Sequence, residues 1–195
     1  MLAIIKYNAG NIQSVLYALE RIGVNATVTD DPEKIRSADK VIFPGVGEAN
    51  SAMRYLRERK LDSLIKSLQQ PVLGICLGMQ LMCNYSEEND TDCLGIFDSK
   101  VRRFHVEDEN LKVPQIGWNQ ISGLSGPIFR GIAEESYCYF VHSYFAECCD
   151  ETAAITEYGT RFSSALSRNN FYGVQFHPEK SAAVGAKIIK NFIDL

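Results

Sequence analysis

Residues 71–82 restrict the fold more than any other stretch. Pro71-Val72-Leu73 is an apolar run that reads as a buried strand, and Gly74-Ile75-Cys76-Leu77-Gly78-Met79-Gln80 follows without a break. Leu81-Met82-Cys83-Asn84-Tyr85 is expected to continue as a helix. A cysteine framed by glycines between a strand and a helix reads as a nucleophile elbow. The tight turn lifts the side chain out of the sheet, and small residues on either side let the backbone bend.

The rest of the first half repeats the strand-then-helix rhythm. Leu2-Ala3-Ile4-Ile5 is β-like. Asn11 is placed to cap a helix whose apolar residues Ile12, Val15, Leu16, Leu19 and Ile22 recur at helical spacing until Gly23. Ala26-Thr27-Val28-Thr29 is a second strand, Asp31-Pro32 opens a short helix, and Lys40-Val41-Ile42-Phe43 is a third strand. Helical stretches from about Glu48 to Arg59 and from Leu61 to Leu68 lead into a fourth strand, Val72-Leu73-Gly74-Ile75. Strands alternating with helices predict an α/β fold with a mostly parallel central sheet flanked by helices.

From Ile96 to Phe176 the pattern changes to strands separated by polar or glycine turns. Lys100-Val101-Arg102-Arg103-Phe104, Tyr137-Cys138-Tyr139-Phe140-Val141 and Thr152-Ala153-Ala154-Ile155-Thr156 are examples. They predict additional antiparallel strands beside the parallel sheet. A last amphipathic helix covers about Ala182 to Phe192. No internal repeat or linker interrupts the 195 residues, so one domain over 1–195 is expected.

A net charge of −4 offers no electrostatic footprint for nucleic acid or an anionic membrane. The apolar run at Leu2–Ile5 is far too short for a signal peptide, and no segment approaches the ~20 apolar residues of a membrane span. A cytoplasmic protein is therefore expected. There the six cysteines (76, 83, 93, 138, 148 and 149) are reduced thiols by default. Without Cys-x-x-Cys or His-x-x-x-His spacing, no zinc site is expected. Cys148-Cys149 stands out only as an adjacent pair.

Three signals carry chemistry. Cys76 is the candidate nucleophile. A free thiol ionises near ~8.5, and a helix N-terminus just after it would favour the thiolate. The Leu77 backbone N–H, one residue on, sits where an oxyanion-hole donor belongs. Cys83, Cys93 and Cys138 lack such framing and read as inert core cysteines. The second signal is Phe171-Tyr172-Gly173-Val174-Gln175-Phe176-His177-Pro178-Glu179. Val174 to Phe176 reads as a strand end, which places His177 at a C-terminal sheet edge, where α/β folds put their sites. Pro178 stiffens the turn and Glu179 can orient the imidazole, so nucleophile, base and orienter are all present. His105, in a charged stretch with Glu107-Asp108-Glu109, and His142 lack a comparable setting. The third signal is Phe43-Pro44-Gly45-Val46-Gly47, a turn after a strand. Its glycines leave amides free to complete an oxyanion hole with Leu77, so Val46 and Gly47 join the candidate list.

Gly-Ile-Cys-Leu-Gly-Met-Gln with a distant His-Pro-Glu resembles the class I (triad) glutamine amidotransferases. Further stretches narrow the likeness: Tyr7-Asn8-Ala9-Gly10-Asn11, Pro44-Gly45-Val46-Gly47, Pro114-Gln115-Ile116-Gly117-Trp118-Asn119, Tyr139-Phe140-Val141-His142-Ser143-Tyr144 and His177-Pro178-Glu179-Lys180-Ser181. Within the class they are similar to the glutaminase-subunit family of imidazole glycerol phosphate synthase, over essentially the whole chain. The resemblance implies that Cys76 attacks the side-chain amide of glutamine. His177 would move the proton, Glu179 would orient it, and water would release glutamate from a thioester. Gln80 and Glu88 match substrate-holding positions, with Glu88 pairing the α-amino group, and Ser143 and Tyr144 match positions at the α-carboxylate end. The bland alternative for Glu88 is a solvated charge in Glu87-Glu88-Asn89-Asp90.

The resemblance also implies a partner, a (β/α)₈-barrel cyclase subunit. It receives the ammonia and makes imidazole glycerol phosphate and an aminoimidazole carboxamide ribotide. Asn11, Trp118, Asn119, Tyr139 and Lys180 match positions at or near that interface. No cofactor or metal is implied. Where relatives often carry an acidic residue and Met-Gly or Pro-Gly, this chain has Lys6-Tyr7-Asn8-Ala9-Gly10, a departure at the partner face that leaves the chemistry intact. The competing readings are a class I glutaminase serving an anthranilate, guanylate or pyridoxal phosphate synthase, and a non-catalytic regulatory module on the same fold.

Overall fold

The computed structural model describes residues 1–8, 11–105 and 111–195. Ala9, Gly10 and the Glu107–Glu109 run lie outside them. In chain order the elements are β1 (Leu2–Ile5), α1 (Ile12–Arg21), β2 (Ala26–Thr29), α2 (Pro32–Arg36), β3 (Lys40–Gly45), α3 (Ala49–Glu58), α4 (Leu61–Ser67), β4 (Val72–Cys76) and α5 (Leu77–Met82). Then come β5 (Tyr85–Ser86), β6 (Thr91–Asp92), β7 (Lys100–Arg103), β8 (Gln115–Ile121), β9 (Ser136–His142), β10 (Tyr144–Ala146), β11 (Thr152–Glu157), β12 (Arg161–Arg168), β13 (Phe171–Val174) and α6 (Ala182–Ile193). Single 3₁₀ turns lie at Pro127–Phe129 and Pro178–Lys180.

The sheet runs β2-β1-β3-β4-β13-β12-β10-β7-β5-β6, with β11 beside β12. From β2 to β13 every neighbour is parallel, and β12, β10 and β7 continue it antiparallel. The expected mixed α/β architecture is thus observed. Side chains alternate faces along the central strands, as the pleat requires. Ala3, Ile5, Val41, Phe43 and Val72 meet residues of α3, α4 and α5 in one core. Leu2, Ile4, Ile42, Leu73 and Ile75 meet residues of α1 and α6 in the other. β8 and β9 form a separate antiparallel ribbon. Its inward residues Cys138 and Phe140 join that second core.

Four details differ from expectation. Asn11 occupies the N-cap of α1 without a side-chain capping bond, whereas Asp31 accepts the Glu33 N–H as a cap should. The helix after the elbow ends at Met82, not Tyr85. Carbonyls it would need are taken from outside: Leu81 O by Leu94 N–H, Met82 O by Ile96 and Phe97 N–H, and Cys83 O by Gly95 N–H. β3 runs on through Pro44 and Gly45, and Gly45 lies opposite Cys76, so the glycine turn begins level with the elbow. β13 stops at Val174 rather than Phe176, because β4 turns into α5 and offers no further partner. The chain instead gives its Gln175 N–H to Ser164 O and its His177 N–H to Tyr139 O.

Candidate active site

Cys76 sits at the end of β4 with φ 53° and ψ −110°. A positive φ in a residue with a Cβ is strained by ~1–3 kcal/mol and persists only when its surroundings enforce it. Here the enforcing contact is Gly78, which follows in α5. A Cβ built on it would lie 1.9 Å from the Phe43 carbonyl oxygen of β3. Only glycine lets the first turn of α5 press this closely against the neighbouring strand.

His177 lies on the turn between β13 and α6. Its N–H and the Tyr139 carbonyl are 2.8 Å apart. The Ser181 hydroxyl donates to the His177 carbonyl at 2.7 Å and accepts the Tyr139 N–H at 2.9 Å. Gly185 lets α6 close on this turn, since a Cβ there would stand 1.9 Å from the Pro178 carbonyl oxygen. His177 Nδ1 lies 2.8 Å from Glu179 Oε1, and both side chains are buried. With a carboxylate as acceptor, Nδ1 carries the proton, which leaves Nε2 for chemistry. Burial opposes a charged ring, but hydrogen bonds to Cys76 and Glu179 and their charges outweigh it and push His177 up to about 10. The candidate nucleophile Cys76, the candidate base His177 and its candidate orienter Glu179 therefore lie together.

The unit opens into a cleft of about 270 Å³. Every residue expected for the oxyanion hole and the substrate lines it: Val46, Gly47, Leu77, Gln80, Glu88, Ser143 and Tyr144. Gly47 has φ 122°, a conformation that side chains avoid. Leu77, first in its helix, has an N–H without an intrahelical acceptor. Glu88 is not a solvated charge. It is half-buried, burial pushes its carboxyl up, and its Oε2 accepts the Ala49 N–H at 2.8 Å, at the start of α3. The charged neighbour Glu87 turns the other way, to Arg102 and the Arg103 N–H.

The partner-face expectations divide. On the ribbon, Ile116, Trp118 and Tyr137 are 63%, 52% and 54% exposed, so this face looks into solvent. Trp118 packs edge-on against Tyr139, with ring centroids 5.9 Å apart, and Lys180 Nζ lies 5.9 Å from the Tyr139 ring. Lys180 also lines the cleft, so patch and cleft are continuous. Asn119 projects to the opposite side of the ribbon and donates to the Glu157 carbonyl, tying β8 to the end of β11. Asn11 is half-buried and borders a small void beside His177 and Glu179.

Three buried polar residues escaped the sequence reading. Gln175 donates from Nε2 to Cys76 Sγ at 3.6 Å. His142 lines the cleft, with Nδ1 2.7 Å from the Tyr144 carbonyl and Nε2 3.0 Å from Gln115 Oε1. Burial, reinforced by the charge of His177, lowers it to about 4. The Tyr7 hydroxyl is buried without a partner among the described residues, against Gly45, and burial and the Cys76 charge push it upward. Gln175 had a usable signal, a lone amide inside the apolar run Phe171–Phe176. His142 and Tyr7 had none, because a single histidine or tyrosine in a strand is ordinary.

Among the described residues no helix is long and apolar enough to cross a membrane. All six cysteines are free thiols, Cys148 exposed and Cys149 half-buried.

A family model described as "Glutamine amidotransferase class-I" matches residues 3–195. The chain is 58% identical over 193 residues to the imidazole glycerol phosphate synthase subunit HisH of Bacteroides fragilis, covering 99% of this chain and 98% of that protein. It is 56% identical to the protein of the same name from Bacteroides thetaiotaomicron, with the same coverage. In fold it is similar to a crystal structure of a Thermoplasma acidophilum protein, provisionally described as one subunit of a GMP synthase. That match has a TM-score of 0.76 at 20% identity and covers 100% of this chain and 92% of the other.

Proposed function

The chain belongs to the class-I glutamine amidotransferases, and from that premise we propose that it is the glutaminase subunit of an imidazole glycerol phosphate synthase. It hydrolyses L-glutamine to L-glutamate and ammonia, and the ammonia passes to a (β/α)₈-barrel cyclase subunit in histidine biosynthesis. The whole chain, 1–195, works as one glutamine amidotransferase domain. Its substrates are soluble metabolites, which sets its work in the cytoplasm.

Cys76 first passes its thiol proton to His177, giving a thiolate beside the imidazolium that the raised His177 value describes, and the sulfur then attacks the side-chain carbonyl carbon of glutamine. The oxyanion that forms is held by backbone N–H groups from Leu77 and the Val46–Gly47 turn. Collapse of the tetrahedral intermediate expels ammonia, which takes the proton back from His177. Water, deprotonated by the same ring, then hydrolyses the glutamyl thioester. Glu179 keeps the imidazole in the productive tautomer throughout. Glu88 binds the α-ammonium, with Gln80, Ser143 and Tyr144 on the remaining walls. Ammonia leaves past Lys180 towards Trp118 and Tyr139, the exposed face on which the cyclase docks.

The observation that carries this reading is the strained Cys76 sharing one cleft with the His177–Glu179 pair at 2.8 Å. The test is Cys76→Ala, assayed with the cyclase bound. Glutamine-dependent synthesis should be abolished and ammonia-dependent synthesis retained. Glutamine hydrolysis at the native rate by this variant would sink the assignment. Co-purification with a synthase of another pathway would overturn the choice of partner.

A further inference from the structure

We propose that Gln175 is an additional catalytic group: its side-chain N–H holds Cys76 Sγ and stabilises the thiolate before attack. The inference rests on the reading of Cys76 as nucleophile and adds a residue outside the triad. Gln175 is fully buried, and its Nε2 lies 3.6 Å from the sulfur. The thiol has a second contact, donating to the Val141 carbonyl at 3.8 Å.

An amide could present either its oxygen or its nitrogen to the sulfur, and the two have opposite effects on a thiolate. The surrounding bonds decide between them. The Tyr144 carbonyl can only accept, and Gln80 meets it at 2.9 Å, so Gln80 points its NH₂ there. The same Nε2 lies 2.9 Å from Gln175 Oε1. That oxygen is therefore committed as an acceptor, and what remains for Cys76 is the Gln175 NH₂. Polarity is thus propagated from one backbone carbonyl through two buried amides to the nucleophile. When Cys76 ionises, its proton passes to His177. The sulfur then carries the charge, and the contact from Gln175 becomes a charge-assisted hydrogen bond, stronger than the same contact to the thiol. Because it gains strength as the thiol ionises, it raises the fraction of Cys76 present as thiolate rather than merely holding the side chain still.

The test needs no glutamine, so it stands apart from the function itself. Alkylation of Cys76 by iodoacetamide, followed at the level of the Cys76 peptide so that exposed Cys148 does not interfere, is measured against pH in native protein and Gln175→Met. A donor lost from a charged acceptor costs about tenfold or more. The variant should therefore alkylate about tenfold more slowly on the acid side, with its midpoint raised by about one pH unit and its alkaline plateau unchanged. A purely structural role would alter thermal stability and leave the midpoint alone, and an unchanged midpoint overturns the proposal. Should the variant not fold, the native protein suffices. The Gln175 side-chain amide proton resonance must titrate with the midpoint of Cys76 alkylation, and a resonance that ignores it refutes the contact. If Cys76→Ala kept full glutaminase activity, the function would fall while the thiolate contact could still be measured.

Discussion

His142 should make the protein acid-sensitive in a defined window. Its ring is packed among Phe104, Phe140 and Phe162 at centroid distances of 5.2, 5.6 and 5.3 Å. In the neutral ring Nδ1–H donates to the Tyr144 carbonyl, which leaves Nε2 as an acceptor facing the Gln115 side-chain amide, and His177 is the cation whose charge reaches it. Burial and that charge hold it at about 4, against about 6.5 in an unfolded chain. Between those values the unfolded chain binds a proton that the native protein refuses. Unfolding then takes up a proton, so stability is full above about 6.5 and falls as pH drops towards 4. At about 1.4 kcal/mol per pH unit the loss reaches about 3 kcal/mol, a large share of a typical domain's stability. His177 moves the other way and is lost as pH rises from about 6.5 to 10, outside this window. The assay is urea unfolding followed by far-UV circular dichroism from roughly pH 4.5 to 7.5, on native protein and His142→Asn. Asparagine keeps a donor for the Tyr144 carbonyl and removes the titration, and carboxylates elsewhere cancel in the comparison. The native slope should exceed the variant's by close to one proton near the middle of the window. Parallel slopes would mean that the imidazole is already charged or solvated in the fold, and the argument from burial would fail.

Other perturbations have equally direct readings. Glu88→Gln should raise KM for glutamine about tenfold or more with little change in kcat, because a charged partner for the α-ammonium is lost equally from ground and transition states. A collapse of kcat at constant KM would remove Glu88 from substrate binding. Trp118→Ala should leave the urea midpoint almost unchanged yet weaken cyclase binding at least tenfold by calorimetry. Unaltered affinity would move the docking face elsewhere. Gly78→Ala should cost about 3 kcal/mol in urea unfolding, since the added methyl meets a strand carbonyl rather than a flexible side chain. A loss below about 1 kcal/mol would show that α5 can retreat freely from β3.

Local patterns made most of the fold legible. Helical spacing marked α1, α3 and α6, and the glycine-framed cysteine marked the strand-to-helix turn at β4. Failures came where long-range partners decide the outcome. Nothing between Leu81 and Tyr85 announces that residues 94–97 will claim the last carbonyls of α5. The end of β13 is set by the turn of β4 into α5, a neighbour about a hundred residues away. The candidate triad was readable because its geometry follows from the elbow and from one tight turn. The amide relay was not, because Gln80, Tyr144 and Gln175 are brought together only by the packed sheet. Side-chain direction on the β8–β9 ribbon lay between these extremes. Period two puts Trp118 and Tyr139 outward and Asn119 inward, once the register with β9 is known.

That ribbon explains how an exposed face can bear on a buried nucleophile. Tyr139 turns its ring outward beneath Trp118 and beside Lys180, while its backbone grips the catalytic turn through His177 N–H and Ser181 Oγ. Two residues on, the Val141 carbonyl accepts the Cys76 thiol. One further, His142 meets the Tyr144 carbonyl that orients Gln80 and, through it, Gln175. Cys76 itself stands on β4, in the middle of the sheet. Cys76 is thus carried by the sheet, as is Tyr144 on β10 at the start of the amide relay, whereas the thiol acceptor and the anchor of the His177 turn belong to β9. Any load on the outer face that shifts β9 against the sheet must change both of these relations together, because each is a bond to a backbone carbonyl of the same strand. A partner seated over Trp118 and Tyr139 therefore has mechanical purchase on the chemistry without touching glutamine.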